Sequence, residues 1–313
     1  MASRYETTVT VERFTGIDES AGAHNGSLSI AAEAQNCLTE QGLLRPATGY
    51  APVYPPLAEP IVTLATFYRR NHEVEAERRV LVASTATALY AITEGASAWK
   101  LLMSDITGGG RWSWVTYEQT NPGSDPEDVL ILSNAVDGMV IVKGSTLTAE
   151  RKEIELTSAD EQGNPVYTPI TFGIIERHAE RIWGAEVPGE PDSLYYSQPF
   201  NPFNFNQVYV TEDGLGTSEI PTGGEVLPEQ SGGVIQVPTW DGDRFVALKR
   251  FSNYILAYKR ESVFYVKGMS AGEFGQREAY GSDGAFAPRT VVADGPTAYY
   301  VSNRGLGVFD GDT

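Results

Sequence analysis

The chain has 313 residues, and its 41 Asp and Glu against 23 Lys and Arg give a formal charge of −18, so on average it repels nucleic acid, which is normally gripped by a basic face that neutralises phosphates. One cysteine, Cys37, excludes an internal disulfide framework and any cysteine-cluster metal site, and suits a chain made in a reducing compartment. Hydrophobic residues at 41% and aromatic residues at 11% suffice for a buried core, while no apolar run nears the roughly 20 residues of a membrane helix and no apolar leader follows Met1.

In chain order, residues 7–14 (TTVTVERF) alternate Val9 and Val11 against Thr8, Thr10 and Glu12, as a half-buried strand does. A small-residue loop over 16–26 follows, then a first hairpin unit from Ala32. The Pro-dense stretch 52–60 (PVYPPLAEP) reads as an extended connection between units. Residues 71–79 (NHEVEAERR) have the composition of a helical turn or two but lack an apolar stripe, so a charged loop is the better reading. Strands rich in Val and Thr are expected at 61–68, 112–117, 170–175, 234–237 and 290–293, set between the hairpins as inner strands. Gly108 to Gly110 form a loop, because neither the Lys-Ser/Thr pair nor the helix of a phosphate cradle follows.

The most readable unit spans 172–206. Ile182 and Trp183 run into a turn marked by Pro188, Gly189 and Pro191, and Ser193-Leu-Tyr-Tyr-Ser197 resumes the extended pattern, which makes a β-hairpin. Pro199 and Pro202 then carry the chain out of the sheet as an aromatic loop bearing Phe200, Phe203 and Phe205. The same strand–turn–strand shape begins near residues 32, 81, 130, 181, 247 and 298, at spacings of 49, 49, 51, 66 and 51 residues. Periods of roughly 40 to 50 residues with several strands each are those of propeller blades. We therefore expect one all-β domain over 1–313, a six-bladed β-propeller whose long interval holds an insertion at about 206–233, with the ring closed by strand 7–14 so that no sheet edge is left open.

Chemistry-bearing constellations are sparse. His24, His72 and His178 lack a second ligand at metal spacing, no Gly-x-Ser-x-Gly elbow occurs, and the Asp-Gly-Asp runs at 241–243 and 310–312 read as tight turns. Neither catalysis, nor a cofactor, nor a metal is expected. Arg69, Arg70, Arg78, Arg79, Arg177 and Arg181 are interleaved with Glu73, Glu75, Glu77, Glu176 and Glu180, which favours local or intersubunit ion pairs over a nucleic-acid strip. The candidate interaction residues are Phe200, Phe203 and Phe205 with Arg177 and Arg181. The three rings serve either a partner or the cover of a blade's open end. Trp112, Trp114, Trp183 and Trp240 are the indoles that a glycan-binding or glycan-cleaving propeller would stack on sugars.

Several motifs together resemble a family: Phe14-Thr-Gly-Ile-Asp18, Ala34-Gln-Asn36, Gly42-Leu-Leu-Arg45, Glu176-Arg-His-Ala-Glu-Arg-Ile-Trp-Gly184 with Leu194-Tyr-Tyr-Ser197, Phe251-Ser-Asn-Tyr-Ile-Leu256, Val263-Phe-Tyr-Val-Lys-Gly268 and Tyr300-Val-Ser-Asn-Arg-Gly305. In this combination, spread over nearly the whole chain, they resemble the propeller proteins of tailed-bacteriophage virions, of the nozzle and DNA-stabilisation type. The resemblance implies a structural part of the tail or head-to-tail connection, with other virion proteins (portal, adaptor or tail) as partners and several copies in a ring. It further implies that DNA passes by without specific binding and that the chain resides in the virion, with host-receptor binding as another role of such a part.

Overall fold

The computed structural model describes residues 16–17, 30–31, 37–40, 43–46, 52–70, 73–119, 126–162, 164–210, 216–217, 225–239, 242–279 and 283–311. They fall into two compact units, Met1–Val53 and Tyr54–Thr313. In the first, β1 (Gly16–Ile17) pairs in parallel with β2 (Ile30–Ala31), and β3 (Cys37–Glu40) forms an antiparallel hairpin with β4 (Leu43–Pro46). The expected closing strand at 7–14 lies outside the described residues.

The second unit is a succession of antiparallel meanders. Its first sheet holds β5 (Thr63–Tyr68), β6 (Arg79–Ser84), β7 (Leu89–Thr93) and β8 (Lys100–Met103). The second holds β9 (Ser113–Gln119), β10 (Glu127–Asn134), β11 (Gly138–Lys143) and β12 (Thr148–Lys152). After a projecting hairpin of β13 (Glu155–Ala159) and β14 (Pro165–Pro169), the third sheet holds β15 (Ile174–His178), β16 (Arg181–Ala185) and β17 (Ser193–Tyr196). A small hairpin of β18 (Tyr209–Val210) and β19 (Gly216–Thr217) intervenes before that sheet's fourth strand, β20 (Gly233–Gln236). The fourth sheet is β21 (Phe245–Phe251), β22 (Tyr254–Lys259), β23 (Val263–Lys267) and β24 (Gly275–Glu278); the fifth has three strands, β25 (Val292–Asp294), β26 (Thr297–Ser302) and β27 (Gly305–Phe309). Among the described residues of the charged stretch before β6, the regular structure is a single 3-10 turn, Glu75–Glu77.

The hydrophobic runs explain this stacking. A strand sends alternate side chains to opposite faces, and in the middle strands both faces are apolar. In β10, Leu130 and Leu132 join a core with Ala65, Phe67, Val82 and Ala91 of the first sheet, whereas Val129 and Ile131 join one with Ile175, Ile182 and Tyr195 of the third. In β22, Ile255 and Ala257 pack with Trp183 and Leu194 of the third sheet, while Leu256 and Tyr258 pack with Ala298, Tyr300 and Phe309 of the fifth. Four cores thus sit between five successive sheets, and each middle strand reads as a continuous apolar run because it serves two of them.

Two strand expectations need correction. Residues 234–237 were expected as an inner strand, yet Gly233–Gln236 pairs with β17 as the fourth strand of the third sheet. The hairpin near residue 247 contains the first two strands of its sheet, whereas those near 81, 130 and 181 contain the second and third. Second strands begin at Arg79, Glu127, Arg181, Tyr254 and Thr297, spacings of 48, 54, 73 and 43 residues, so the evenness of the sequence spacing arose from a one-strand change of phase. The 73-residue interval contains the 36 residues between β17 and β20.

No strand pairing among the described residues joins the fifth sheet to the first. The approach to β25 nevertheless reaches the start of β5: the Arg289 guanidinium donates to the Val62 carbonyl at 3.3 Å and to Thr63 Oγ1 at 3.0 Å. The fifth sheet also carries a solvent-facing apolar row, Val292, Tyr299 and Val308 in direct cross-strand register.

Candidate interaction surface

The hairpin β15–β16 and the loop that follows β17 hold all five of the sequence-chosen residues, and the fold separates them. Phe205 is 2% exposed, packed on Phe172 at 4.7 Å between ring centres in the core joining the second and third sheets. The chain can lie this close only because Gly232 runs under it: a Cβ there would stand 2.5 Å from the Phe205 carbonyl carbon. Phe203 packs partly against the same core, with the Lys152 ammonium 5.9 Å from its ring centre. Phe200 alone projects, 63% exposed, at a left-handed φ of 59°. Of the two roles open to the three rings, Phe205 takes that of core cover and only Phe200 is left exposed enough to meet a partner, because the loop folds back over the sheet end and tucks Phe205 beneath it.

Arg181 is likewise withdrawn from the surface. It is 1% exposed. Its Nη1 donates to the carbonyls of Ser197 at 2.6 Å and Ser231 at 2.5 Å, and its Nη2 donates to Glu229 O at 2.7 Å. The guanidinium lies over the rings of Tyr196 and Phe274 at 5.6 Å, and burial lowers its pKa. These bonds tie both ends of the segment between β17 and β20 to β16, a structural duty that satisfies carbonyls which would otherwise be buried without donors.

Arg177 remains at the surface. Its Nη2 pairs with Glu180 Oε2 at 2.8 Å and its guanidinium sits 5.0 Å over the Tyr117 ring. Tyr117 donates its hydroxyl to Glu180 O at 3.3 Å, and the Phe200 N–H donates to the same carbonyl at 2.9 Å. Burial pushes the Tyr117 hydroxyl up to about 12 against the opposing pull of Arg177.

Beside this cluster, a cleft of about 200 Å³ is lined by Tyr68, Arg70, Thr116, Tyr117, Asp128 and Arg177, drawn from the first three sheets. Arg70 is held there by Glu118 at 2.5 Å and by Asp128 at 3.0 Å, and its own backbone N–H also donates to Asp128. Tyr68 is 60% exposed at the rim. The surface thus runs from Phe200 through Arg177 and Tyr117 to Tyr68, aromatic rings between arginines already neutralised by carboxylates. Such a face suits protein contact: aromatic and Arg residues are favoured in interface cores, while paired guanidiniums offer little to phosphate. Tyr68, Arg70 and Asp128 were missed as site residues, since their meeting depends on contacts 58 residues apart in sequence.

The mixed Arg and Glu segments do form local pairs, Arg69 with Glu77 and Arg177 with Glu180. Gly108 lies in a loop, its N–H donating to Asp137 at 2.8 Å. Among the described residues no group of three or more His, Cys, Asp or Glu is placed to hold a metal ion. Of the indoles considered for sugar stacking, Trp112 and Trp183 are buried at 4% and 0% exposure, Trp114 is 37% exposed, and Trp240 lies outside the described residues.

Comparison with known proteins found no family model that matches and no curated protein that matches. A solved structure titled "Crystal structure of BBS1N in complex with ARL6DN, soaked with lead" is similar at a TM-score of 0.47 and 12% identity, covering 85% of this chain and 70% of that one.

Proposed function

We propose that the chain is a six-bladed β-propeller, closed by the strand at residues 7–14, that serves as a structural part of a tailed-phage virion in the tail or head-to-tail connection. The sheet succession supports the propeller: stacked meanders bury both faces, and the fifth sheet still bears an open apolar row and, among the described residues, has three strands. The virion role rests on the sequence resemblance. The observation that carries it to a DNA conduit is charge. The chain is at −18, and its arginines at the candidate surface are neutralised by neighbouring carboxylates, so polyanionic DNA slides past such walls without adhering.

In this reading several copies surround one axis and contact portal, adaptor or tail proteins through the Phe200–Arg177–Tyr117 surface, and no reaction is catalysed. The decisive experiment is a cryo-electron microscopy map of a particle carrying the chain. Ring density on the tail or neck axis is expected, and density restricted to lateral fibres or absence from the particle overturns the proposal. The glycan reading is weakened by the burial of Trp112 and Trp183.

A further inference from the structure

We propose that the joint between the third and fourth sheets is an acid-sensitive hinge, loosened when His178 takes up a proton while the other joints hold. His178 ends β15 and is 3% exposed. Its Nε2 is buried with no hydrogen-bond partner. The ring lies 6.4 Å from Trp183, and that indole donates to the His178 carbonyl at 3.2 Å. Trp183 is the largest side chain of the core formed with Phe245, Leu248, Ile255 and Phe264 of the fourth sheet. A second buried cation is nearby: Arg181, the cross-strand partner of His178, donates Nη1 and Nη2 to carbonyls and leaves its Nε without a partner.

The charged groups of this joint do not welcome a proton. Arg250 of β21 repels it, and Lys249 of β21 is paired with Glu176 of β15 at 3.4 Å, so that carboxylate is already engaged. Burial and Arg250 lower the His178 pKa, and the backbone of Gly268 and Asn253 pulls the other way. The sign follows. A histidine whose folded pKa lies below its unfolded value favours the closed joint above about pH 6.5, and that preference is lost as pH falls through this range. The two-residue hairpin loop that follows it holds Ala179 and Glu180 at left-handed φ values, 52° and 56°, as a tight hairpin of this length requires.

The test is amide hydrogen exchange of the full chain, corrected for the intrinsic pH dependence, between about pH 7.5 and about pH 5.5. Opening at residues 252–254 and 267–269 should rise up to about tenfold per pH unit below about 6.5, as uptake of one proton requires. Amides of β10 and β11 should stay protected, and His178→Gln should remove the rise. Unchanged opening, an equal rise in H178Q, or simultaneous loss of protection at β10 overturns the proposal. Should H178Q not fold, an NMR titration of the wild-type imidazole decides: a pKa at or above the ordinary value refutes the hinge.

Discussion

Arg177 and Arg181 lie four residues apart on one hairpin, yet their removal should have very different costs. Replacing Arg181 with Ala strips donors from the carbonyls of Ser197, Ser231 and Glu229 at once. An acceptor left without a partner costs about 1–3 kcal/mol when buried, and water entering the vacated space recovers part of it, so over three carbonyls a net loss of about 3–5 kcal/mol is expected. Arg181→Met keeps much of the packing on Tyr196 and Phe274 but leaves the same carbonyls bare, so it should fall near the Ala variant. Arg177→Ala removes one half-exposed pair with Glu180 and should cost about 0–1 kcal/mol. Urea unfolding at neutral pH, with the slope checked for constancy, measures all three. If Arg181→Ala falls within about 1 kcal/mol of Arg177→Ala, the assignment of Arg181 as an internal clamp is wrong.

Phe205→Ala should destabilise by about 3–5 kcal/mol, the usual cost of emptying an aromatic core site, and Phe200→Ala by no more than about 0.5 kcal/mol; the same urea series separates them. Gly232→Ala should lower the thermal midpoint clearly, because its methyl group meets the Phe205 backbone rather than a side chain able to turn aside. Tyr117, held neutral by burial, contributes stability that is fully present below about pH 10 and is lost as pH rises toward about 12; ultraviolet phenolate titration should find it ionising after the exposed tyrosines, and ionisation alongside them would refute its burial. Deleting residues 1–15 should cause aggregation through opened sheet edges, and a soluble, cooperatively folding truncation would refute closure by that strand.

Much of the sheet architecture was legible because burial writes itself into strand sequence. Runs such as Val129 to Leu132 and Met139 to Val142 are apolar on both faces, and both faces are indeed cores. The phase within a sheet was not legible, since first and third strands look alike when each is apolar. That is how the hairpin near 247 passed for the equivalent of those near 81 and 130, and how residues 234–237 passed for an inner strand. At the candidate surface, no periodicity governs the loop carrying Phe200, Phe203 and Phe205, so the sequence could not say which ring turns inward. Arg181 stands among the interaction residues because the sequence interleaves it with Glu176 and Glu180, which points to ion pairs; its carbonyl partners lie 16 to 50 residues away and only the fold brings them to it.

The same use of cations bears on the nucleic-acid question. A duplex is held by mobile, solvent-facing ammonium and guanidinium groups that displace condensed counterions. In this chain Lys259 is wholly buried, its Nζ donating to Asp192 at 2.5 Å and to the carbonyls of Val237 at 2.7 Å and Asp243 at 3.0 Å. Arg69 is buried and donates to the Glu77 and Gly144 carbonyls, and Arg181 is spent on three more. Arg70 and Arg177 do face solvent, but each lies against a carboxylate whose charge a phosphate would have to approach. These cations therefore serve mainly to join sheets and loops, and the net excess charge of the chain is carboxylate. Titration of the isolated chain with duplex DNA at low salt should accordingly give no appreciable affinity; tight binding that weakens steeply with added salt would show that a basic face exists after all, and would remove the physical ground for an acidic conduit.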